Sequence, residues 1–415
     1  MARLFADLTP LRVSPAYRRL WLALGVSNVG HQMTAVAVGI QVYAITGSSW
    51  SVGLVGLFQL VPLVAFGLYG GALSDAHDRR LVGLLTAAGL WVCSVAFLVQ
   101  ALAGWDNVAL LYAVVAVQSA FFAVGNPARQ AIIPRLVPEP LLPAANALGV
   151  ITWNLGFTLG PLLGGLLIGV TGSVAVPYAV DVVAFAAMLL AMWRLPALPP
   201  TGPVRRAGLA SVVEGLKFLR GKKNLQMSFY EDIVAMVFGM PRALFPAIAA
   251  MWYGGTAREV ATVVGLLSAA PAVGAVVAGA LSGPLGRVRR QGLAVVVSIV
   301  VWGLAIAAFG LVRWLPLALL LLAVAGGADS VSAVFRTTIL QAATPDEYRG
   351  RLQGVFTVVV AGGPRLGDVE AGAVAVLLGE TVAVVSGGLA SAVLAVALAF
   401  AIPSFVRYDA RHPVP

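Results

Sequence analysis

The chain has 415 residues, of which 60% are hydrophobic and only 11% are charged. Soluble proteins are typically about 45–50% apolar and about 25% charged, so this composition excludes a soluble enzyme, a disordered scaffold and a secreted disulfide-rich module. The formal net charge is +10. The single cysteine, Cys93, and three scattered histidines provide neither an intrachain disulfide nor a metal-ligand cluster, so we expect no metal and no other cofactor.

Twelve apolar runs follow one another, six on each side of a charged and proline-rich break. Each is as long as the roughly 20 residues that a helix needs to cross a bilayer. The runs are continuous rather than alternating, which excludes a membrane β-barrel. The first run is longer than the apolar region of a cleaved signal, about 7–15 residues, so we expect it to remain as a spanning helix. The runs cover residues 17–46, 50–73, 81–103, 108–128, 143–169, 174–193, 224–253, 261–281, 291–312, 316–336, 353–378 and 381–402.

The break begins with four prolines between residues 196 and 203, which cannot continue a helix. Apolar residues then recur at helical spacing from Leu209 to Leu219, with charged residues on the opposite face. This pattern predicts an amphipathic helix on the membrane surface, with a soluble linker helix as the alternative. We expect three regions, namely an N-terminal six-helix bundle, a cytoplasmic linker with its amphipathic helix, and a C-terminal six-helix bundle, at residues 1–195, 196–223 and 224–415.

Basic residues concentrate in the termini and in alternate connections. All but four of the 27 lysines and arginines lie there; Arg258 and Arg313 lie in the other connections, and Arg242 and Arg365 lie within runs. Cytoplasmic loops of membrane proteins carry such an excess of basic residues. We therefore expect both termini in the cytoplasm, and the net charge reflects orientation in the membrane rather than a nucleic-acid partner.

The two halves of the chain share short strings at a nearly constant separation. The sequence Gly-Ala-Leu-Ser at 71–74 occurs again at 279–282, and Arg129 corresponds to Arg336 about half a chain later. Gly-Pro at 160–161 has a counterpart at 363–364. These matches predict two six-helix halves related as a parallel repeat, an arrangement used by secondary transporters.

Two motifs resemble the signatures of a known transporter superfamily. Residues 71–80 read G-A-L-S-D-A-H-D-R-R and resemble the loop signature G-x-x-x-D-R-x-G-R-R of the major facilitator superfamily. Ala76 and Asp78 depart from it. Residues 156–165 read G-F-T-L-G-P-L-L-G-G and resemble the exporter and antiporter signature of the fifth helix. Close packing alone is the alternative reading of these glycines.

The resemblance extends along essentially the whole chain. The strings N-P-A-R-Q-A-I-I-P-R-L-V-P (126–138), A-A-N-A-L (144–148) and E-G-L-K-F-L (214–219) are similar to the branch that holds the enterobactin exporter and macrolide or multidrug exporters. It implies an all-α membrane protein with twelve helices in two pseudo-symmetric six-helix bundles. To conformational gating we assign the motif residues together with Arg365. They are Gly71, Asp75, Arg79, Arg80, Gly156, Gly160, Pro161, Gly164 and Arg365.

The resemblance also implies that the first, fourth, seventh and tenth helices line a central cavity. Polar and aromatic residues in these helices are the candidate substrate contacts. They are Asn28, His31, Gln32, Gln118, Phe122, Arg129, Phe238, Arg242 and Asp329. Asn28, His31 and Gln32 lie at positions i, i+3 and i+4 and so share a helix face. A histidine satisfied by its polar neighbours is the alternative for His31.

Ionisable residues within spans are costly and usually face a cavity or pair with each other. The candidate proton carriers are Glu231, Asp329, Asp368 and Glu370, with His31 in addition. Helical spacing predicts a shared face for Glu231 with Arg242 and for Asp329 with Arg336. It also permits an Arg365–Asp368 pair within one helix, and Asp181 is expected to pair across helices. The alternatives are a solvated vestibule for Glu231 with Asp232 and a structural ion pair for Arg365 with Asp368.

These patterns predict a secondary active transporter that exports a small organic molecule in exchange for protons. Buried arginines would suit an anionic siderophore and buried acids a cationic drug, so the substrate stays open, with the resemblance favouring the siderophore. The alternatives are an uptake permease of the same fold and, more remotely, a membrane-embedded enzyme. We expect no catalytic residues, a monomer in the cell's inner or plasma membrane, and a small-molecule substrate, protons and lipid as partners.

Overall fold

The structure, a computed structural model, describes residues 7–199, 214, 216–283, 285 and 288–411. Within its helices, the side chains at 68–72, 74–75, 346–351, 353–354 and 357–358 are not described. The residues that are described are almost entirely helical, with one isolated antiparallel bridge between Arg290 and Asp409.

Six long helices lie in the described residues of the first half of the chain. A short helix, Thr9–Val13, precedes them, and a 3-10 turn, Glu139–Leu141, joins the fourth to the fifth. Left-handed Gly172 ends the fifth helix, with φ of 72°, a backbone conformation that glycine adopts without steric cost. The six are α1 (Pro15–Thr46), α2 (Ser49–Ala76), α3 (Arg79–Leu102), α4 (Val108–Leu136), α5 (Leu142–Thr171) and α6 (Ala175–Trp193).

The part of the second half that the structure describes also contains six long helices. They are α7 (Lys223–Phe238), α8 (Ala257–Ala280), α9 (Gln291–Leu311), α10 (Leu315–Ala343), α11 (Asp346–Leu378) and α12 (Glu380–Ala401). A final short helix, Pro403–Val406, follows. These twelve helices confirm the predicted fold class.

The run predicted as one helix at 224–253 is interrupted. α7 ends at Phe238 and is followed by a 3-10 turn at Arg242–Leu244, one α-helical turn at Phe245–Ile248 and a π-helical turn at Ala249–Tyr253. Pro241 lies at the interruption and has no backbone N–H to continue the helical ladder. The prediction that Glu231 and Arg242 share a face of one continuous helix is therefore wrong.

Two helices extend beyond their predicted ends. The apolar runs stop near Arg129 and Arg336, but α4 continues to Leu136 and α10 to Ala343. Both arginines are buried, at 7% and 3% exposure. A charged residue therefore ended the apolar run without ending the helix, because the side chain is accommodated inside the protein rather than in solvent.

Ten helical stretches in the described residues are long and apolar enough to span a membrane. They correspond to α2–α6, α7 extended to Tyr253, α8–α10 and α12. α1 and α11 have 32 and 33 residues, which is sufficient length. Polar residues lower their apolar character, notably Gln32 in α1 and Asp368 in α11. Large exposed apolar side chains such as Leu377 and Phe400, each 80% exposed, suit a lipid environment.

The chain divides into two compact units, which we call unit 1 and unit 2. Unit 1 comprises Met1–Ile45, Phe58–Gly208 and Thr256–Gly265. Unit 2 comprises Thr46–Leu57, Leu209–Gly255 and Leu266–Pro415. Each unit therefore contains most of one sequence half and the first part of a helix from the other half, because α2 and α8 each begin in one unit and end in the other.

A buried apolar cluster in unit 1 joins α1, α3, α4 and α6, with Leu20, Leu90, Ile132 and Met192 among its members. Leu195 and Leu198 also belong to it. The first residues after α6 therefore pack on unit 1. Of the predicted amphipathic helix, Leu209 to Leu219, residues 209–213 and 215 lie outside the described residues, while 214 and 216–219 are helical.

Candidate functional site

Unit 2 contains a buried cluster of acids around one arginine. Arg336 of α10 forms an ion pair with Asp232 of α7. Its second guanidinium nitrogen, Nη2, lies 3.5 Å from Asp329 Oδ1. The contact between Asp329 and Arg336 confirms the shared face that their spacing of seven residues predicted. Removing either partner from such a buried pair leaves an uncompensated charge, so the cluster fixes α7 against α10.

Glu231 is the neighbour of Asp232 in the sequence and is fully buried, at 0% exposure. Neither of its carboxylate oxygens has a hydrogen-bond partner among the described residues. Asp232 is 2% exposed. The two side chains are thus enclosed by protein, which disfavours the solvated vestibule. A buried acid without a partner is costly when charged. These surroundings therefore favour the neutral, protonated form of the Glu231 carboxyl.

Asp368 of α11 does not pair with Arg365 of the same helix, the partner that its helical spacing permitted. Asp368 forms an ion pair with Arg242, from the 3-10 turn after α7, while Arg365 Nη1 donates to the Ala361 carbonyl. The Arg365–Asp368 pair within α11 is therefore not the one that forms. Glu370 is half-buried on the same helix.

α2 packs directly on this part of α11 through small residues. A Cβ added to Gly56 would lie 2.9 Å from the Asp368 Cβ, and one added to Gly53 would collide with the Asp368 carbonyl. Ser49, at the start of α2, donates to Glu380 Oε1 at 3.0 Å. Gly53 and Gly56 thus hold α2 against the Asp368–Arg242 pair, a role that sequence reasoning missed. In the sequence, this packing role was indicated only by the spacing of three residues between the two glycines.

The polar residues of α1 in unit 1 diverge. Asn28 Nδ2 donates to the carbonyls of Thr152 and Trp153 in α5, at 3.3 and 3.2 Å. Gln32 lies against Gly160 of the same helix. His31 instead stacks on Phe122 of α4, with ring centroids 5.9 Å apart. Asn28 and Gln32 therefore contact α5, and His31 faces α4.

Candidate substrate contacts of α4 lie beside His31. Arg129 places its guanidinium carbon 5.8 Å from the centre of the Phe122 ring. Gln118 is buried, and its Nε2 has no partner within the described part of the chain. The structure thus brings together three of the predicted substrate contacts of unit 1, His31, Phe122 and Arg129, and Gln118 lies one helical turn before Phe122. Phe238 is in unit 2, half-buried at the end of α7, and its carbonyl lies next to Gly387.

A second polar core in unit 1 surrounds Asp181 of α6. Asp181 is fully buried and accepts a hydrogen bond of 2.7 Å from Ser94 Oγ of α3. This confirms that it pairs across helices. Tyr178, one turn earlier, donates to Gln41 Oε1 at 2.8 Å, and Gln41 Nε2 donates in turn to Gln100 Oε1 at 3.0 Å. The Tyr178–Gln41–Gln100 network was not predicted, because polar residues on three separate runs carry no mark of their pairing.

The glycines of the α5 motif allow close packing on two sides. Gly156, Gly160 and Gly164 lie against Asn28, Gln32 and Met33 of α1. A Cβ added to Gly165 would lie 2.5 Å from the Gly265 Cα of α8. Any side chain at these positions would separate the helices. Pro161 is buried within α5. Packing therefore accounts for the glycine pattern, and a gating role for it remains a prediction.

The loop motif is described only in part, because the surroundings of Gly71 and the side chain of Asp75 lie outside what the structure describes. Arg80 Nη2 donates to the Trp193 carbonyl at the end of α6, at 2.6 Å. Asp78 caps α3: its Oδ1 accepts from the Arg80 N–H at 2.8 Å and from the Leu198 N–H at 3.1 Å. Arg79 N–H donates to the Leu198 carbonyl at 3.2 Å. Asp78, a departure from the family signature, therefore ties the end of the first half to α3.

No group of three or more metal-ligand side chains that could hold a metal ion occurs in the described residues. The arrangement offers carboxylates that can hold or release protons, arginines that can hold anions, and helix contacts close enough to be disrupted by one methyl group.

Comparisons with known proteins agree with this picture. The sequence profile of a family described as transmembrane secretion effector matches residues 5–413. The enterobactin exporter EntS of Citrobacter koseri is 29% identical over 410 residues, which cover 99% of this chain and 97% of the relative. The enterobactin exporter EntS of an Escherichia coli strain is also 29% identical, over 98% of this chain and 96% of its own.

Solved structures share the fold. A variant of the peptide transporter POT, in complex with sulfate, superposes with a TM-score of 0.76 at 12% identity, covering 95% of this chain and 96% of its own. The nucleoside transporter NupG gives a TM-score of 0.71 at 13% identity, covering 95% of this chain and 99% of its own. At this low identity the likeness concerns the fold alone.

Proposed function

Because the chain belongs to the transmembrane secretion effector family of the major facilitator superfamily, we propose that it exports a small organic molecule in exchange for protons by alternating access. The chain is a multi-span inner-membrane transporter of a small molecule, and not an enzyme. Direction, driving ion and substrate belong to the proposal.

Glu231 carries the proposal of proton coupling. It is fully buried, has no hydrogen-bond partner among the described residues and adjoins Asp232 of the Arg336 cluster. Its environment includes two further charged groups, its sequence neighbour Asp232 and Arg336. A carboxyl held in this way can carry a proton while the charges beside it stay paired with each other. Asp329, Asp368 and Glu370 are the further candidates for the relay.

The Asp368–Arg242 pair is the proposed gate of unit 2. Protonation of Asp368 would remove the charge that holds Arg242 and so loosen the contact between the turn after α7 and α11. Gly53 and Gly56 make α2 part of the same contact. A change in one carboxyl could thereby be transmitted to three segments of the chain. Arg365 lies three residues before Asp368 in α11, and it is proposed to respond when this pair changes.

The distribution of basic residues supports cytoplasmic termini in this proposal. A monomer in the lipid bilayer is the proposed working form. The relatives named as enterobactin exporters favour outward transport of a siderophore over drug efflux and over uptake.

Transport into inverted membrane vesicles tests the proposal. Enterobactin should accumulate in vesicles that contain the wild-type protein when a proton gradient is imposed. Asp329→Asn and Asp368→Asn should abolish this accumulation while the protein still inserts. Asp106→Asn is the matched control, because Asp106 is exposed in the connection between α3 and α4.

Accumulation that does not depend on the gradient would contradict proton coupling. Wild-type rates in both Asp329→Asn and Asp368→Asn would reject these two residues as proton carriers. Accumulation driven in the opposite direction would support an uptake permease instead.

A further inference from the structure

The internal repeat places two buried arginines at equivalent positions with different surroundings. Arg129 in α4 and Arg336 in α10 are 207 residues apart. The same offset relates Phe122 to Asp329. Each arginine contacts the residue seven positions before it: Arg336 lies 3.5 Å from Asp329, and Arg129 lies over the Phe122 ring.

The charge of Arg336 is compensated within unit 2, since Asp232 and Asp329 both contact it. Arg129 is 7% exposed, and no carboxylate contacts it among the residues that the structure describes. A buried charge without a counterion is costly, and membrane proteins place such charges mainly where a substrate or ion passes. Among the described residues, the arginine of unit 2 therefore has acidic partners and its counterpart in unit 1 has none.

The groups beside Arg129 suit a planar aromatic ligand. Phe122 is half-buried and stacks on His31 at 5.9 Å with an angle of 4° between the rings. Phe185 meets His31 edge-on at 6.5 Å. An arginine guanidinium binds carboxylates through two parallel hydrogen bonds and also stacks on aromatic faces. The positive charge of Arg129 and a group of aromatic rings thus occur together in unit 1.

Gln118, which lies one helical turn before Phe122, adds a hydrogen-bond donor. Its side chain is buried, and the Nε2 atom has no partner in the described residues. Thr86 packs against Gly125 on the same side of α4, so a Cβ at that glycine would meet Thr86 Oγ1 at 2.5 Å. This face of α4 therefore offers two buried donors, Gln118 and Arg129, and an aromatic ring between them.

We propose that Arg129, Phe122 and Gln118 form a binding site in unit 1 for an anionic group attached to a planar aromatic ring. The site rests on the proposed export function, because it supplies the substrate contacts of that function. The two units then have different roles. Arg336 of unit 2, which is paired with acids, belongs to the proton relay, and Arg129 of unit 1 binds the negative charge of the substrate.

Binding of three probes that share one ring tests this site. 2-Naphthoate, 2-naphthylmethanol and 2-naphthylmethylamine are negative, neutral and positive at pH 7. Their dissociation constants for the purified full-length protein can be measured by calorimetry without any proton gradient. The wild-type protein should bind the anion most tightly and the cation most weakly.

Three substitutions identify the groups responsible. Arg129→Gln should weaken binding of 2-naphthoate by about 10- to 100-fold, as expected for loss of a charged hydrogen-bond partner, and change the neutral probe little. Arg129→Lys should recover part of that loss. Phe122→Asp gives Arg129 the carboxylate that Arg336 already has and should abolish the preference for the anion. Arg135→Gln is the control, because Arg135 is exposed near the end of the same helix.

The proposal is overturned if no probe binds the wild-type protein, if anion and cation bind equally, or if Arg129→Gln keeps the wild-type affinity for 2-naphthoate. Thermal unfolding of each variant separates loss of the site from loss of the fold, and Arg129→Lys with wild-type stability but no affinity for 2-naphthoate also counts against it. Anion binding as predicted, together with export that ignores the gradient, would refute proton coupling and leave this site standing.

Discussion

The adjacent acids of α7 should affect stability differently when each carboxylate is replaced by its amide. Asp232→Asn removes one counterion of Arg336, which is 3% exposed, and leaves Asp329 at 3.5 Å. Breaking a buried ion pair costs about 3–5 kcal/mol. Because Asp329 remains, we expect the lower end of that range, a decrease of about 3 kcal/mol in the free energy of unfolding.

Glu231→Gln should leave the free energy of unfolding unchanged or raise it by about 1 kcal/mol, since an unpartnered buried polar group costs about 1–3 kcal/mol and the amide removes its charge. The two variants should therefore differ by at least about 3 kcal/mol, which is roughly 100-fold in the unfolding equilibrium. Both residues are buried on the same helix, so each is the control for the other.

Equilibrium unfolding in mixed micelles, followed by tryptophan fluorescence, provides the measurement, because the chain has 9 tryptophans. Equal decreases in both variants would refute the reasoning, since they would mean that Glu231 is held by a partner as firmly as Asp232 is.

Three further substitutions test the packing and the loop. Gly165→Ala should lower the melting temperature, because its Cβ would lie 2.5 Å from the Gly265 Cα and overpacking costs about 1–3 kcal/mol; Gly149→Ala, in open space on the same helix, should raise it by relieving about 0.5–1 kcal/mol of glycine's entropic cost. Opposite outcomes would show that the α5–α8 contact is not tight. Asp78→Ala should cost about 0.5–2 kcal/mol and accelerate limited proteolysis after Leu198, because both hydrogen bonds of the cap are lost. Unchanged proteolysis would mean that the cap does not hold this segment.

The helices were predictable because long apolar runs leave few alternatives in a membrane. The ends of α4 and α10 were not, since a run defined by apolar residues stops at Arg129 and Arg336 even though both are buried. The interruption after α7 did have a signal, the Gly239–Met240–Pro241 sequence, which the apolar character of the run obscured.

The contacts between side chains divide in the same way. The contact of Asp329 with Arg336 followed from helical spacing within one element. Arg242 with Asp368 did not, because the choice of partner between segments depends on tertiary packing. His31 and Gln32 were grouped on one face, yet consecutive residues of a helix point about 100° apart. That angle is enough for them to meet two different helices, which is what the structure shows.

If Glu231 couples proton movement to export, the protein must move protons when its substrate is present, and a liposome assay can detect this. Purified protein is reconstituted into liposomes that contain a pH-sensitive dye, and enterobactin is added. The wild-type protein should move protons in response to the substrate. Glu231→Gln should bind the substrate with wild-type affinity and move none. Substrate-dependent proton movement at the wild-type rate in Glu231→Gln would show that Glu231 does not couple proton movement to export.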